Sequence, residues 1–142
     1  MPTSSALDAV RGALVGALLT LRVDTVPSPA CRPRVARFGV FYAKGYQVCM
    51  ADCVKQFSAQ KPGILFEGDL FAHVEAVVQR PKKTIRVRPA GDVDNYAKAP
   101  LDAATKAGLW GDDGQVTALL ATKRWTEPGE EPGINLTIGK LT

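Results

Sequence analysis

Residues 91–116 read GDVDNYAKAPLDAATKAGLWGDDGQV, and the course of the chain through this stretch decides the kind of domain it belongs to. Asp92 and Asp94 stand two apart in what reads as an extended segment. In such a segment both carboxylates point the same way and Val93 faces the core. A helix follows from Asn95, supported by Leu101, Ala104 and a stop at Gly108, with Asp102–Lys106 as an i,i+4 pair. Asp112-Asp113 then precedes QVTALLATKRW, whose alternation marks a strand. An extended segment, a helix and a returning strand form a compact unit whose ends can lie side by side, so residues near 93 and 113 can meet.

The same patterns extend in both directions. Towards the C-terminus, GINLTIGKL is a further strand behind a turn rich in proline and glycine, and the two last strands are expected as an antiparallel pair. Towards the N-terminus, LFEGDLFAHVEAVVQ alternates from Leu70 to Val78, with Leu70, Ala72, Val74, Ala76 and Val78 on one side and Phe71, His73 and Glu75 on the other. KGYQVCMADCVKQFSAQKPG is the clearest helix, with an expected face of Val48, Met50, Ala51, Val54 and Phe57 and a stop at Pro62-Gly63. VARFGVFYA reads as a hairpin or arm turning at Gly39, and PSPACRPR is irregular because of its prolines. LLTLRVDTV alternates as a half-buried strand. Leu7, Val10, Leu14 and Leu18, behind a capping-box-like Ser5 and Asp8, predict a helix over about residues 5–16, an extra N-terminal helix within 1–17. The expected fold is α+β: one domain over 1–142, a two-layer sandwich of a mixed sheet with two main helices.

The composition is that of a globular chain, with 46% hydrophobic and 23% charged residues in 142. Its longest apolar stretch, ALVGALLTL, is far short of a membrane span. The N-terminus lacks the basic start and cleavage site of a signal peptide, so the cytoplasm is the expected location. Cys49 and Cys53 are four apart without the spacing of a zinc site, and buried reduced thiols are expected. Lone His73 reads as a partly exposed strand residue.

The net charge of +4 is unevenly spread. Arg32, Arg34 and Arg37 form one basic cluster, with Lys44 nearby. Arg80, Lys82, Lys83, Arg86 and Arg88 form a second, with no acid among them. Clusters of this kind suit a polyanion, because each neutralised phosphate releases counterions, although a charge run is also an ordinary solvated surface.

The acids admit two readings. Asp before a helix is an ordinary N-cap, Asp-Asp-Gly is an ordinary turn, and Lys98 could simply pair with Asp94 at the surface. Alternatively, Asp92, Asp94 and the Asp112-Asp113 pair converge as hard oxygen ligands for Mg²⁺ or Mn²⁺. Lys98, one turn beyond Asp94, then stabilises charge on a transferring phosphate. A calcium loop of the EF-hand type fails, because Ala97 stands where glycine is needed and Ala103 where a bidentate glutamate is needed.

The stretch from 92 to 116 closely resembles the signature of RusA-type Holliday-junction resolvases: Asp-x-Asp-Asn, a lysine a turn later, an LDA helix, an aromatic residue, Asp-Asp and Gln-Val. PSPACRPRVARFGVFYAKGY, residues 27–46, is similar to the proline- and arginine-containing opening of many members. The resemblance implies a homodimeric, Mg²⁺-dependent endonuclease that nicks four-way DNA junctions symmetrically. Asp92, Asp94 and Asp113 would be its metal-binding acids and Lys98 its essential lysine. Asp112 lies beside the third acid. The basic residues Arg32, Arg34, Arg37, Lys44, Lys82, Lys83, Arg86 and Arg88 would hold backbone phosphates. Pro100 departs from the family pattern, so the helix is expected to start later than in other members or to kink. The rival readings are a catalytically silent DNA-binding module whose acids are caps, and a nuclease acting on flaps or forks.

Overall fold

A computed structural model describes residues 14–30, 34–36, 39–41 and 43–141, with side chains described over 18–30 and 43–141. Its elements are β1 (Leu14–Asp24), β2 (Arg34–Ala36), β3 (Gly39–Phe41), α1 (Lys44–Gln60), β4 (Leu70–Val78), α2 (Val93–Ala107), a 3-10 turn (Asp113–Gln115), β5 (Val116–Trp125) and β6 (Gly133–Leu141). The main sheet has the order β1-β6-β4-β5, and β2 and β3 form a separate antiparallel pair.

The sheet is mixed. β6 runs antiparallel to both β1 and β4, and β4 runs parallel to β5. Parallel neighbours need a long crossover, and α2 supplies it. β5 and β6 are therefore not partners: β6, reading inward as Ile134, Leu136 and Ile138, is drawn between β1 and β4, where it is buried by strands on both sides. The antiparallel final pair expected from the sequence is replaced by this insertion.

Both helices cover one face of the sheet. Leu21 and Val23, Leu70, Ala72 and Val74, and Ile134, Leu136 and Ile138 meet Cys49, Cys53 and Phe57 of α1 and the alanines 97, 99, 103, 104 and 107 of α2. Small residues on α2 let its backbone approach both the sheet and α1. The buried stripe of α1 is Tyr46, Cys49, Cys53 and Phe57, rotated from the expected face, and Val48 is half exposed. The stripe Tyr46–Cys49–Cys53–Phe57 follows i, i+3, i+7, i+11, the periodicity of one helix face. Cys49 and Cys53 are free and buried. Their mutual hydrogen bond pulls the Cys49 thiol down to about 7 and pushes that of Cys53 up.

At the N-terminus, residues 1–13 of the expected helix lie outside the described residues. From Leu14 onward the chain is already strand, with Leu14 opposite Leu141. The run ALVGALLTL fits either periodicity, and the open edge of β6 decides for the strand. The outer edge of β1 is in turn closed by α1. The Gln56 amide accepts from Asp24 N–H (2.8 Å) and donates to Asp24 C=O (2.9 Å). Gln60 does the same for Arg22, at 3.1 and 2.6 Å. No strand covers the outer edge of β5 among the described residues. No helix among the described residues is long and apolar enough to cross a membrane.

Candidate active site

α2 begins at Val93, with Asp92 at its N-cap position. Only Asp92 is extended (φ −79°, ψ 139°), and Asp94 already lies in the first helical turn. The expected parallel aim of the two carboxylates does not form, because residues two apart on a helix are turned by about 200°. Val93, expected in the core, is 37% exposed. The helix starts two residues before the expected Asn95, and Pro100 is buried inside it.

The start of α2 is held from three sides. Lys123 Nζ donates to the carbonyls of Pro89 (2.8 Å) and Gly91. Tyr96 Oη donates to Ala90 C=O at 2.7 Å. Ala30 N–H donates to Asn95 C=O at 2.9 Å. Three successive carbonyls of the approach, at 89, 90 and 91, are thus all occupied. Gly91 turns the chain at φ +91°, where a Cβ would meet Pro29 Cγ and Tyr96 Cε2 at 3.3 Å each.

The far end of α2 closes on Gly108 in the left-handed region, with its N–H and that of Leu109 returned to the last turn. Buried Trp110 donates from Nε1 to Thr105 Oγ1 at 2.8 Å. Gln115 then fixes the acidic turn. Its Oε1 accepts from the N–H groups of Gly111 (2.9 Å) and Asp112 (3.1 Å). Its Nε2 donates to the carbonyls of Phe66 (3.1 Å) and Gly68 (3.0 Å). Every hydrogen-bonding position of this amide is used, and it ties the turn bearing Asp112 and Asp113 to the segment ahead of β4.

Between α2 and β5 lies a pocket of about 290 Å³, lined by Asp94, Ala97, Lys98, Leu101, Asp102, Asp113, Val116 and Leu119. The structure therefore brings Asp94, Asp113 and Lys98 to one pocket and leaves Asp92 outside its lining. Lys98 pairs with Asp102 at 3.3 Å, neither with Asp94 nor leaving Asp102 to Lys106. Positions 94, 98 and 102 recur every four residues and share one helix face. The side chain of Lys98 is largely exposed, so this is a weak pair, worth at most about 1 kcal/mol, that a phosphate can replace.

Asp112 forms a capping box with Gln115 at the 3-10 turn, but the other three acids are idle as caps. Asp92 makes no side-chain capping bond. Neither Asp94 nor Asp113 makes a side-chain hydrogen bond or ion pair among the described residues. Free carboxylates suit a hard cation, and Mg²⁺ is commonly held by one or two of them together with water and substrate phosphate. No three His, Cys, Asp or Glu side chains gather tightly enough to cage a metal ion among the described residues. Asp94 and Asp102 are about 12 Å apart along the helix axis, so the acids of the pocket are spread along it.

Of the expected phosphate contacts, Lys44 is exposed at the start of α1. Lys82, Lys83, Arg86 and Arg88 are exposed in the loop that leads to Asp92, and none makes an ion pair among the described residues. Arg34 lies in β2, and Arg32 and Arg37 lie outside the described residues. His73 is half-buried and hydrogen-bonded to Thr122 Oγ1 at 2.8 Å. Sequence reasoning passed over Lys123 and quoted Gln115 only as part of the motif, without a role. A lysine on the helix-facing side of β5, in step with Leu119 and Ala121, was the available sign for the first.

Compared with known families, residues 24–139 match the family model for endodeoxyribonuclease RusA. No curated protein matches the chain. The family match takes in β1 from its last residue, both helices and the pocket between α2 and β5.

Proposed function

Because the chain belongs to the RusA family of endodeoxyribonucleases, which are crossover-junction resolvases, we propose that it resolves four-way DNA junctions by paired, symmetric, Mg²⁺-dependent nicks. The observation that carries the assignment of the site is the shared pocket of Asp94, Asp113 and Lys98.

Asp94 and Asp113 are the carboxylates that would hold Mg²⁺, and Asp92 joins them on the strength of the motif it shares with the family. Bound there, the cation would supply an acidified water and offset charge on the scissile phosphate. The chain's own residues do the rest. Lys98 exchanges Asp102 for a non-bridging phosphate oxygen and stabilises the charge that builds as water attacks phosphorus and the bond to the leaving sugar oxygen breaks. The cations of the 80–88 loop hold backbone phosphates and set the register of the duplex arms.

Two symmetric nicks call for two copies related by a two-fold axis. The closed edge of β1 and the open edge of β5, with Leu119 and Leu120 partly exposed, favour pairing at β5, beside the pocket. A second copy there would bring the acids of both chains together, which suits a pocket whose acids are spread along one chain.

The assay is nicking of a mobile four-way junction, a flap and a linear duplex under Mg²⁺ and under EDTA. Junction-selective, EDTA-sensitive nicking is expected. Asp92→Asn, Asp94→Asn, Asp113→Asn and Lys98→Ala should each lose cleavage while junction binding is kept. If the acids are shared between chains, a mixture of Asp94→Asn and Asp113→Asn proteins regains nicking. Binding unaffected by EDTA, with no nicks under any divalent ion, would reduce the protein to a silent DNA-binding module.

A further inference from the structure

The loop between β4 and α2 carries two aliphatic residues that the fold barely uses. Ile85 is fully exposed and Val87 is 80% exposed. Burying such a side chain is worth about 1.5–3 kcal/mol, and here none of that is gained for Ile85 and little for Val87. Their neighbours Lys82, Lys83, Arg86 and Arg88 are all exposed cations.

The loop is also pinned rather than left to drift. Arg80 N–H donates to Thr126 Oγ1 at 3.1 Å. Arg86 N–H donates to Thr84 Oγ1 at 3.1 Å, and the Arg86 carbonyl accepts from Trp125 Nε1 at 3.2 Å. Pro89 C=O is held by Lys123. Ile85 is thus presented next to an anchored residue, seven positions before Asp92, and an extended chain of that length reaches at most about 25 Å.

We infer that Ile85, assisted by Val87, is a wedge that enters the base stack of DNA at the branch point while the surrounding lysines and arginines hold the phosphates. The charge around the aliphatics selects a polyanion, and the apolar tips need an apolar interior within that polyanion. Stacked bases are such an interior, and a branch point is where the stack is already interrupted and least costly to open. Apolar side chains inserted between base steps unstack them and kink the duplex, which would present the strand next to the crossover to the acids. This inference rests on the proposed action on branched DNA.

The test uses the full chain in EDTA with a four-way junction carrying 2-aminopurine beside the crossover. Binding of the unaltered protein should raise the fluorescence severalfold. Ile85→Ser with Val87→Ser should bind within about threefold of the parent affinity, melt at the same temperature and lose most of the rise. Lys82→Ala with Lys83→Ala should instead weaken binding tenfold or more and keep the rise at saturation. Binding with no rise, or an equal rise in the double serine variant, overturns the wedge and leaves the nuclease reading standing. Failure of the unaltered protein to bind the junction at all overturns both. Serine-sensitive binding to vesicles of phosphatidylserine and phosphatidylcholine, with a silent branch point, would assign the aliphatics to a lipid surface and also overturn the wedge.

Discussion

Lys123 Nζ donates to the carbonyl of Pro89 at 2.8 Å, and through this bond β5 holds the approach to Asp92 and Asp94. The same ammonium serves Gly91 C=O. Lys123→Met removes both bonds and leaves the carbonyls of buried Pro89 and exposed Gly91 without this charged donor. Stability should fall by about 1–3 kcal/mol. A displacement of about 1 Å at the site costs on the order of 100-fold in rate, so junction cleavage should fall by one to two orders of magnitude. The Mg²⁺ midpoint should rise with it, and Lys123→Arg should restore part of both. An unchanged Mg²⁺ midpoint in the methionine variant would confine Lys123 to a structural role.

Gln115 does for Asp113 what Lys123 does for Asp94. Its amide makes four bonds to four backbone groups on two segments. Gln115→Leu keeps the volume and removes all four. Expected are a loss of about 1–3 kcal/mol and faster proton exchange at the amides of Gly111 and Asp112. Gln115→Glu should retain the two bonds from Gly111 and Asp112 and lose those to Phe66 and Gly68. Exchange at Gly111 and Asp112 that is equally slow in the leucine variant would be incompatible with this role.

The loop from 126 to 132 has a pH signature. The Arg124 guanidinium, bonded to both Glu130 oxygens at 2.6 and 2.8 Å, holds the Glu130 carboxyl at about 2, well below its ordinary 4.5. The Glu127 N–H adds to this. The unfolded chain takes up this proton more readily than the folded one, so the contribution to stability is full above about pH 4.5 and is lost as pH falls through about 2. Glu130→Gln should therefore melt below the parent at pH 6, and the two melting curves should converge towards pH 2. A gap that is constant across this range would place the effect elsewhere.

Much of the fold was legible in short-range periodicity, and the parts that were not share one cause. The alternation of Leu70, Ala72, Val74 and Ala76 and the helical run after Lys44 carry their own signals, and both elements formed where expected. The place of β6 between β1 and β4 depends on pairing across more than 50 residues, on which a local pattern is silent. In the acidic motif, a helix that starts at Val93 instead of Asn95 turned Asp92 away from Asp94. Asp92, Asp94 and Asn95 are all favourable N-cap residues, so the sequence leaves open which of them precedes the first turn. The surface partner expected for Lys98 was Asp94 and the one found is Asp102, because the two acids stand at equal spacing on either side of it. Gln115 and Lys123 act on the backbone of distant segments, where the identity of the residue reached leaves no trace.

Gly91 and Gly129 together isolate the geometry of the approach to the site. Both have positive φ, +91° and +82°, a region that costs other residues about 1–2 kcal/mol each. They differ in surroundings. A Cβ at 129 meets nothing within 4 Å, whereas one at 91 would press on Pro29 and on the Tyr96 ring at 3.3 Å. Tyr96 cannot yield freely, because its hydroxyl holds Ala90 C=O and its ring is buried. Gly129→Ala should therefore lower stability by about 1–2 kcal/mol and leave cleavage at the parent rate. Gly91→Ala should lose more stability and most of the cleavage, since the chain must shift one residue before Asp92. Equal losses of stability and equal retention of cleavage in the two variants would mean that the packing of Gly91 against Tyr96 does not position the acids.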